Sequence, residues 1–337
     1  MARRSSHESG STDLIVETID IALASDHRYF CGLLVASVSM ARHAARDVAL
    51  RFNVLDGGLT DEDWRTLHEK LQIEHPRVVV RAFRIDESHF GSFPAWSWGS
   101  RMAYARLALP ELLADAEFVL YCDVDFLWQA DVAELWALRD RRHAIQGHPD
   151  GWKLTCLRES AWFARNGIPF DPERYVCTGL LVMNLGMWRE QGLERKVMAF
   201  LSEHPDVPYA EQTAVNAVVT DVGLLPRKWH RFSREMTRLD VGGECAIHFA
   251  GDTPWCCNWR AQPLGEAALA WHRFYGNLTG IGTWRSLRRS FPLQDVVLRR
   301  MLGLIVRCRV TRAPFFALLR LLRHGGCIDY YKDRRIW

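Results

Sequence analysis

Phe118-Val119-Leu120-Tyr121-Cys122-Asp123-Val124-Asp125-Phe126-Leu127-Trp128 is an apolar run that ends in two aspartates one residue apart. Aromatic and branched residues in a run of this length read as a buried strand of an α/β sheet. Asp123 and Asp125 then lie where the strand leaves the core, the edge at which open α/β sheets bind ligands. On extended backbone, residues i and i+2 point to the same side. Two carboxylates held together repel unless a cation joins them. The motif therefore points to a hard divalent ion, Mn2+ or Mg2+, carrying the phosphates of a substrate. The plain alternative is two solvated aspartates opening a loop.

Outward from this run, the pattern alternates. Asp20 to Asp26 reads as a first buried strand, and Tyr29 to Ala45 as the helix after it. Val48 to Leu55 is a second strand. Thr60 caps a helix through Leu71, with Asp63 as its capping-box partner. Val78 to Phe83 is a third strand, and a helix over roughly 97–109 leads to the aspartate strand. Such alternation predicts parallel pairing around a nucleotide-type crevice. Beyond Asp125 the pattern is irregular, with strands near Ala144 and at Gly179–Met183 and a helix at Glu211–Val219.

The chain has 337 residues, 48% hydrophobic and 25% charged, ordinary values for a globular α/β protein. Nine cysteines form no spaced framework and no C-x-x-C, which argues for a reducing compartment and against structural zinc. The polar stretch over 1–17 lacks the apolar core of a secretory signal and is expected to be disordered. No run of 18 apolar residues occurs, so no membrane span is expected. The net charge of +3 hides an asymmetry: Ile281 to Trp337 holds 13 Lys and Arg against three acids. Within it, Val296–Val306 and Phe315–Leu322 are apolar runs studded with arginine, suited to the headgroup region of an anionic bilayer. A helical pair packed on the body is a second reading. A nucleic-acid patch is disfavoured, because few aromatic side chains are free for base stacking.

The chain as a whole resembles glycosyltransferase family 8, the retaining UDP-sugar transferases, and especially its bacterial lipopolysaccharide members. Ordered blocks carry the likeness: I-A-L-A-S-D at 21–26, F-N-V-L-D-G-G-L at 52–59, Y-A-R-L-A-L-P-E-L at 104–112, V-L-Y-C-D-V-D at 119–125, T-G-L-L-V-M-N-L-G-M-W at 178–188, E-Q-T-A-V-N at 211–216, L-P-R-K-W-H at 225–230 and H-F-A-G-D-T-P-W at 248–255. The resemblance implies one Rossmann-like domain of GT-A type over 18–275, with 276–337 as a basic amphipathic, membrane-associating tail. It also implies that Asp123, Asp125 and His248 hold Mn2+ (or Mg2+) against the UDP diphosphate. Ala24, Ser25, Asp26, Arg106, Val124, Cys177, Thr178, Gly179 and Gly251 would line the donor, and Asp150 the acceptor. Asp26 could equally be a helix N-cap. Gln212 falls beside the anomeric carbon, where its carbonyl dipole would stabilise positive charge. Glu211 is a nucleophile only if it reaches within about 3–3.5 Å of that carbon.

Two blocks depart from the family pattern. The closing motif H-x-x-G-x-x-K-P-W is one residue shorter here and has Thr253 in place of lysine. Cys177 replaces an amide, and His230 stands where asparagine is common. The expectation is a cytoplasmic hexosyltransferase attached peripherally to the inner face of the membrane. It would move galactose or glucose from UDP to a saccharide or glycolipid acceptor, with no nucleic-acid partner. A nucleotide-sugar-binding protein without catalysis and a metal-dependent nucleotide-diphosphate hydrolase are the alternatives.

Overall fold

A computed structural model describes residues 16–94, 100–151, 153–237, 240–251, 253–255 and 266–290. The apolar runs of the N-terminal half become strands: β1 (Thr18–Ser25), β2 (Ala49–Asp56), β3 (Val78–Arg84) and β4 (Phe118–Cys122). Between them run α1 (Phe30–His43) and α2 (Asp61–Glu74). The capping box at α2 forms as read: Thr60 Oγ1 accepts from the Asp63 amide and Asp63 Oδ2 from the Thr60 amide. The helix expected over 97–109 is different. Met102–Ala108 is a 3-10 helix and only α3 (Leu109–Leu112), with Pro110 in its first turn, is α-helical. Arg106 donates to the Ala103 carbonyl and leans toward the sheet edge, so the segment serves the site rather than a regular helix face.

Next come β5 (Phe126–Trp128), α4 (Val132–Trp136), β6 (Ile145–Pro149), α5 (Lys153–Arg165) and β7 (Val176–Asn184). They are followed by α6 (Leu185–Gln191), α7 (Leu193–Glu203), α8 (Ala210–Val218) and β8 (Val222–Leu224). Last are β9 (Arg231–Phe232), β10 (Ala246–His248), α9 (Glu266–Leu278) and α10 (Thr283–Ser290). The main sheet has the order β3-β2-β1-β4-β7-β6-β8, and β5-β10-β9 form a second, small sheet. β1, β2, β3 and β4 run parallel, as the alternation predicts, but β7 is antiparallel to both neighbours. That inversion matters for function. An antiparallel strand brings its first residues, not its last, to the edge where β4 ends, and Cys122 pairs with Leu180.

Successive side chains of a strand alternate between faces. On β1, Ile19, Ile21 and Leu23 join the core under α1 and α2, while Ala22 and Ala24 join a second core with Tyr104, Trp162 and Trp188. Helices thus cover both faces, the layering that a mostly parallel sheet requires. A third, smaller core holds α9 against β10 through Trp271, Ile247 and Phe249. α9 crosses the limit expected at residue 275, so the start of the basic segment is part of a packed helix. The two arginine-studded runs and residues 1–15 lie outside the described residues.

Candidate active site

β4 stops at Cys122 and the backbone bends at Val124 and Asp125, rather than continuing extended through the motif. The two aspartates converge because different strands tie each of them. The Asp123 amide donates to the Gly179 carbonyl on β7 at 2.8 Å, and the Phe249 amide beyond β10 donates to the Asp125 carbonyl at 2.8 Å. β5 pairs with β10 so that His248 lies opposite Phe126, and the two rings stack at 4.3 Å. One ligand atom from each of Asp123, Asp125 and His248 therefore falls within 4.8 Å of the others.

Two observations bear on whether these residues fit a cation. His248 Nε2 lies 3.1 Å from Asp125 Oδ1, yet that buried oxygen has no hydrogen-bond partner among the described residues. A Cβ added at Gly179 would meet His248 Cε1 at 2.6 Å and Asp123 Oδ2 at 3.1 Å, so glycine keeps the cradle open. Two carboxylates and a neutral imidazole are a donor set that suits Mn2+ or another borderline divalent ion. Asp123 and Asp125 remain partly exposed while His248 is buried, so the group opens to solvent on the carboxylate side.

Arg106 joins this group to the predicted reaction centre. Its guanidinium is buried, with Nη2 donating to Asp123 Oδ1 at 2.9 Å and lying 3.2 Å from Glu211 Oε1. It also donates to the Thr178 carbonyl and stacks over Tyr121 at 4.2 Å. Burial opposes its charge, but Asp123, Tyr121 and Glu211 outweigh that and raise its pKa. Tyr121 donates its hydroxyl to Asp123 Oδ1 at 2.7 Å. Burial, reinforced by the Asp125 charge and opposed by Arg106, raises the pKa of Asp123. Burial likewise raises that of Glu211, whose carboxylate is taken up by Arg106 and the Thr178 hydroxyl.

Gln212 is fixed from both ends: its Oε1 accepts from the Thr178 amide at 3.2 Å, and its Nε2 donates to Asp150 Oδ2 at 3.0 Å and the Tyr175 hydroxyl at 3.3 Å. Asp150 thus adjoins Gln212. Ala210, just before Glu211, has φ 48° in the left-handed region. That strain is held by Thr213, whose hydroxyl accepts from the Tyr209 amide and donates to Glu159.

The remaining expected residues divide. Ala24 and Ser25 end β1 beside the close of β2, with Gly57 donating to the Ser25 carbonyl. Asp26 caps the 3-10 turn His27–Tyr29 and pairs with Arg28. Val124 turns its side chain into the core. Cys177 is buried with its thiol 4.0 Å from His248 Nδ1, and burial holds that thiol well above its usual pKa. Gly251 has φ +77°, a conformation that favours glycine. Arg227 pairs with Glu235 and Lys228 with Glu134, so both are engaged away from the cation group. Reading the chain alone missed Tyr121, Tyr175 and Glu159. The first sits on β4 two residues before Asp123, a spacing that on extended backbone puts both on one side and was available as a signal. The other two are brought in only by β7 and α5.

The family model for "Glycosyl transferase family 8" matches residues 20–255. The chain belongs to that family. General stress protein A of Bacillus subtilis (strain 168) is 24% identical over 265 residues, spanning 72% of this chain and 89% of that protein. Among solved structures, the galactosyltransferase LgtC in complex with donor and acceptor sugar analogues superposes with a TM-score of 0.64 at 23% identity, over 77% of this chain and 96% of that one. The bifunctional glycosyltransferase WbbM superposes with a TM-score of 0.65 at 17% identity; the match covers 81% of this chain and about half, 52%, of that one. At these identities the likeness concerns fold, and the fold is the GT-A type. The protein is a glycosyltransferase.

Proposed function

We propose that this glycosyltransferase moves a hexose, galactose or glucose, from a UDP donor to a saccharide acceptor with retention of configuration, using Mn2+ or Mg2+. The observation that carries the reading is the meeting of Asp123, Asp125 and His248 within 4.8 Å, in a cradle that Gly179 keeps open. The divalent ion held there would draw electron density from the leaving diphosphate. The sugar–phosphate C–O bond breaks, and an acceptor hydroxyl attacks the anomeric carbon on the same face. Its proton passes to an oxygen of the departing β-phosphate.

Gln212 supports this route over a glycosyl-enzyme. An amide is a poor nucleophile, and its carbonyl, held by the Thr178 amide, would lend negative dipole to the anomeric carbon. The neighbouring carboxylate of Glu211 is held by Arg106 rather than left free to attack. Asp150, hydrogen-bonded to Gln212, would accept from an acceptor hydroxyl. Ala24, Ser25 and the Asp26 backbone would meet the nucleoside at the strand ends. The acceptor is a lipid-linked surface glycan, and the basic tail would hold the enzyme at an anionic membrane surface where that acceptor is displayed. No described helix is long and apolar enough to cross a membrane.

Screening UDP-sugars with Mn2+ for UDP release tests the donor. Asp125→Asn is expected to abolish the Mn2+-dependent release, and unchanged turnover in that variant would refute the metal role. Thr253 in place of lysine, with Arg227 and Lys228 paired elsewhere, favours a second reading in which donor is bound but not turned over. Calorimetry with UDP and Mn2+ that shows binding, beside a screen that shows no release, would select it. Sugar appearing free rather than on an acceptor would indicate hydrolysis. Liposome sedimentation with and without residues 284–337 tests the tail.

A further inference from the structure

The two ring nitrogens of His248 have different company. Nε2 faces Asp125 Oδ1 at 3.1 Å, and Nδ1 faces His230 Nε2 at 2.7 Å. His230, His248 and Cys177 also form a buried group of possible ligands. The short contact, however, is a hydrogen bond rather than two donors on one ion. Nitrogens bound ~2.0–2.1 Å from a shared tetrahedral ion would lie roughly 3.3 Å apart. One of the two facing nitrogens therefore carries the proton, and which one decides what His248 offers on its other side.

If His230 donated, the lone pair of neutral His248 would be taken up at Nδ1, and Nε2 would carry its hydrogen toward the carboxylates. A proton in that position blocks ligation. The proposed ligation requires the reverse: an ion held at Nε2 takes that lone pair, so neutral His248 carries its hydrogen at Nδ1, toward His230. His230 Nδ1 lacks a hydrogen-bond partner among the described residues in either arrangement. His230 is buried between Phe126 and Phe232, whose rings lie 5.4 and 4.9 Å away, and cannot turn aside. Among the described residues no carboxylate contacts it to sustain a buried imidazolium, and a neutral ring has one lone pair to offer.

We propose that His230 is a positioning residue: its Nε2 accepts the Nδ1–H of His248 and locks that ring in the tautomer whose Nε2 lone pair faces Asp125 and Asp123. Outer partners of this kind fix both orientation and basicity of a histidine ligand. The inference rests on the reading of Asp123, Asp125 and His248 as the ion's ligands, and the test separates the two.

Long-range proton–nitrogen correlation spectra of the histidine-labelled full chain, without metal, are expected to report His248 as the Nδ1–H tautomer. Mn2+ titrations followed by electron paramagnetic resonance supply the second readout. His230→Phe keeps an aromatic ring but removes the acceptor, and is expected to weaken Mn2+ binding about 10- to 100-fold. His230→Gln sets an amide oxygen near the lost nitrogen and is expected to stay within about threefold of wild type, a rescue that loss of packing alone would not give. An Nε2–H tautomer in the wild-type spectrum overturns the proposal. So does wild-type affinity in His230→Phe, or His230→Gln as weak as His230→Phe. Mn2+ binding retained by Asp125→Asn overturns the ligand reading instead, while the metal-free spectrum still decides the role of His230.

Discussion

Gly179→Ala perturbs the proposed metal group by a single methyl. The new Cβ would lie 2.6 Å from His248 Cε1 and 3.1 Å from both His248 Nε2 and Asp123 Oδ2. Ordinary contact needs about 3.4 Å or more, so the imidazole must retreat by most of an ångström. It has no easy retreat, because Phe126 stacks on it at 4.3 Å and His230 holds its Nδ1. Asp123 is held by Arg106 and Tyr121. Overpacking of this kind costs about 1–3 kcal/mol. Without metal, part of that strain relaxes by moving His248 or Asp123 off their positions. Ligation must draw them back, so binding inherits the strain, and about 1–3 kcal/mol corresponds to roughly 5- to 150-fold in affinity. The assay is a Mn2+ titration of both proteins with UDP release measured alongside, and a thermal melt confirms that the variant is folded. A folded Gly179→Ala protein binding Mn2+ within about twofold of wild type would refute the reasoning, because an overpacking penalty of 1 kcal/mol already exceeds that.

Arg106→Met leaves Asp123 and Glu211 without their cation and is expected to destabilise the fold by about 3–5 kcal/mol in denaturant melts, with Glu211→Gln in the same chain recovering part of it. Glu159 is buried, and desolvation lifts its pKa from 4.5 to about 7, so the folded state holds its proton more tightly than the unfolded chain. Its contribution is therefore present at low pH and lost as pH rises from about 4.5 to 7; Glu159→Gln should flatten that stretch of a melting-temperature profile, and an unchanged slope would contradict it. Ala210→Gly relieves a left-handed alanine at about 1–2 kcal/mol but loosens the unfolded chain, for a net gain of up to about 1 kcal/mol in denaturant melts. A clear loss of stability there would show that the backbone at Ala210 is not strained.

Local chemistry made much of this protein legible in one dimension. Buried runs such as Phe118–Cys122, rich in aromatic and branched residues, read as strands in a two-faced sheet, and Thr60 with Asp63 satisfies helix-end amides within four residues. The ordered blocks from Asp20 to Trp255 were enough to place the chain in its family, and the paired aspartates were enough to propose a cation. Sequence spacing could not say how those aspartates meet a histidine more than a hundred positions away. That depends on the small β5-β10 sheet, whose register puts His248 opposite Phe126 and ties the Asp125 carbonyl to Phe249. Nor does alternation reveal that β7 enters reversed, which delivers Thr178 and Gly179 to the end of β4. The resemblance assigns Arg106 to the donor site, but only the fold reveals that it lies buried between two carboxylates from distant segments. Helix and strand signals are set by neighbours along the chain. Burial, charge pairing and the clearance around a glycine are set by whichever segments the folded chain brings together.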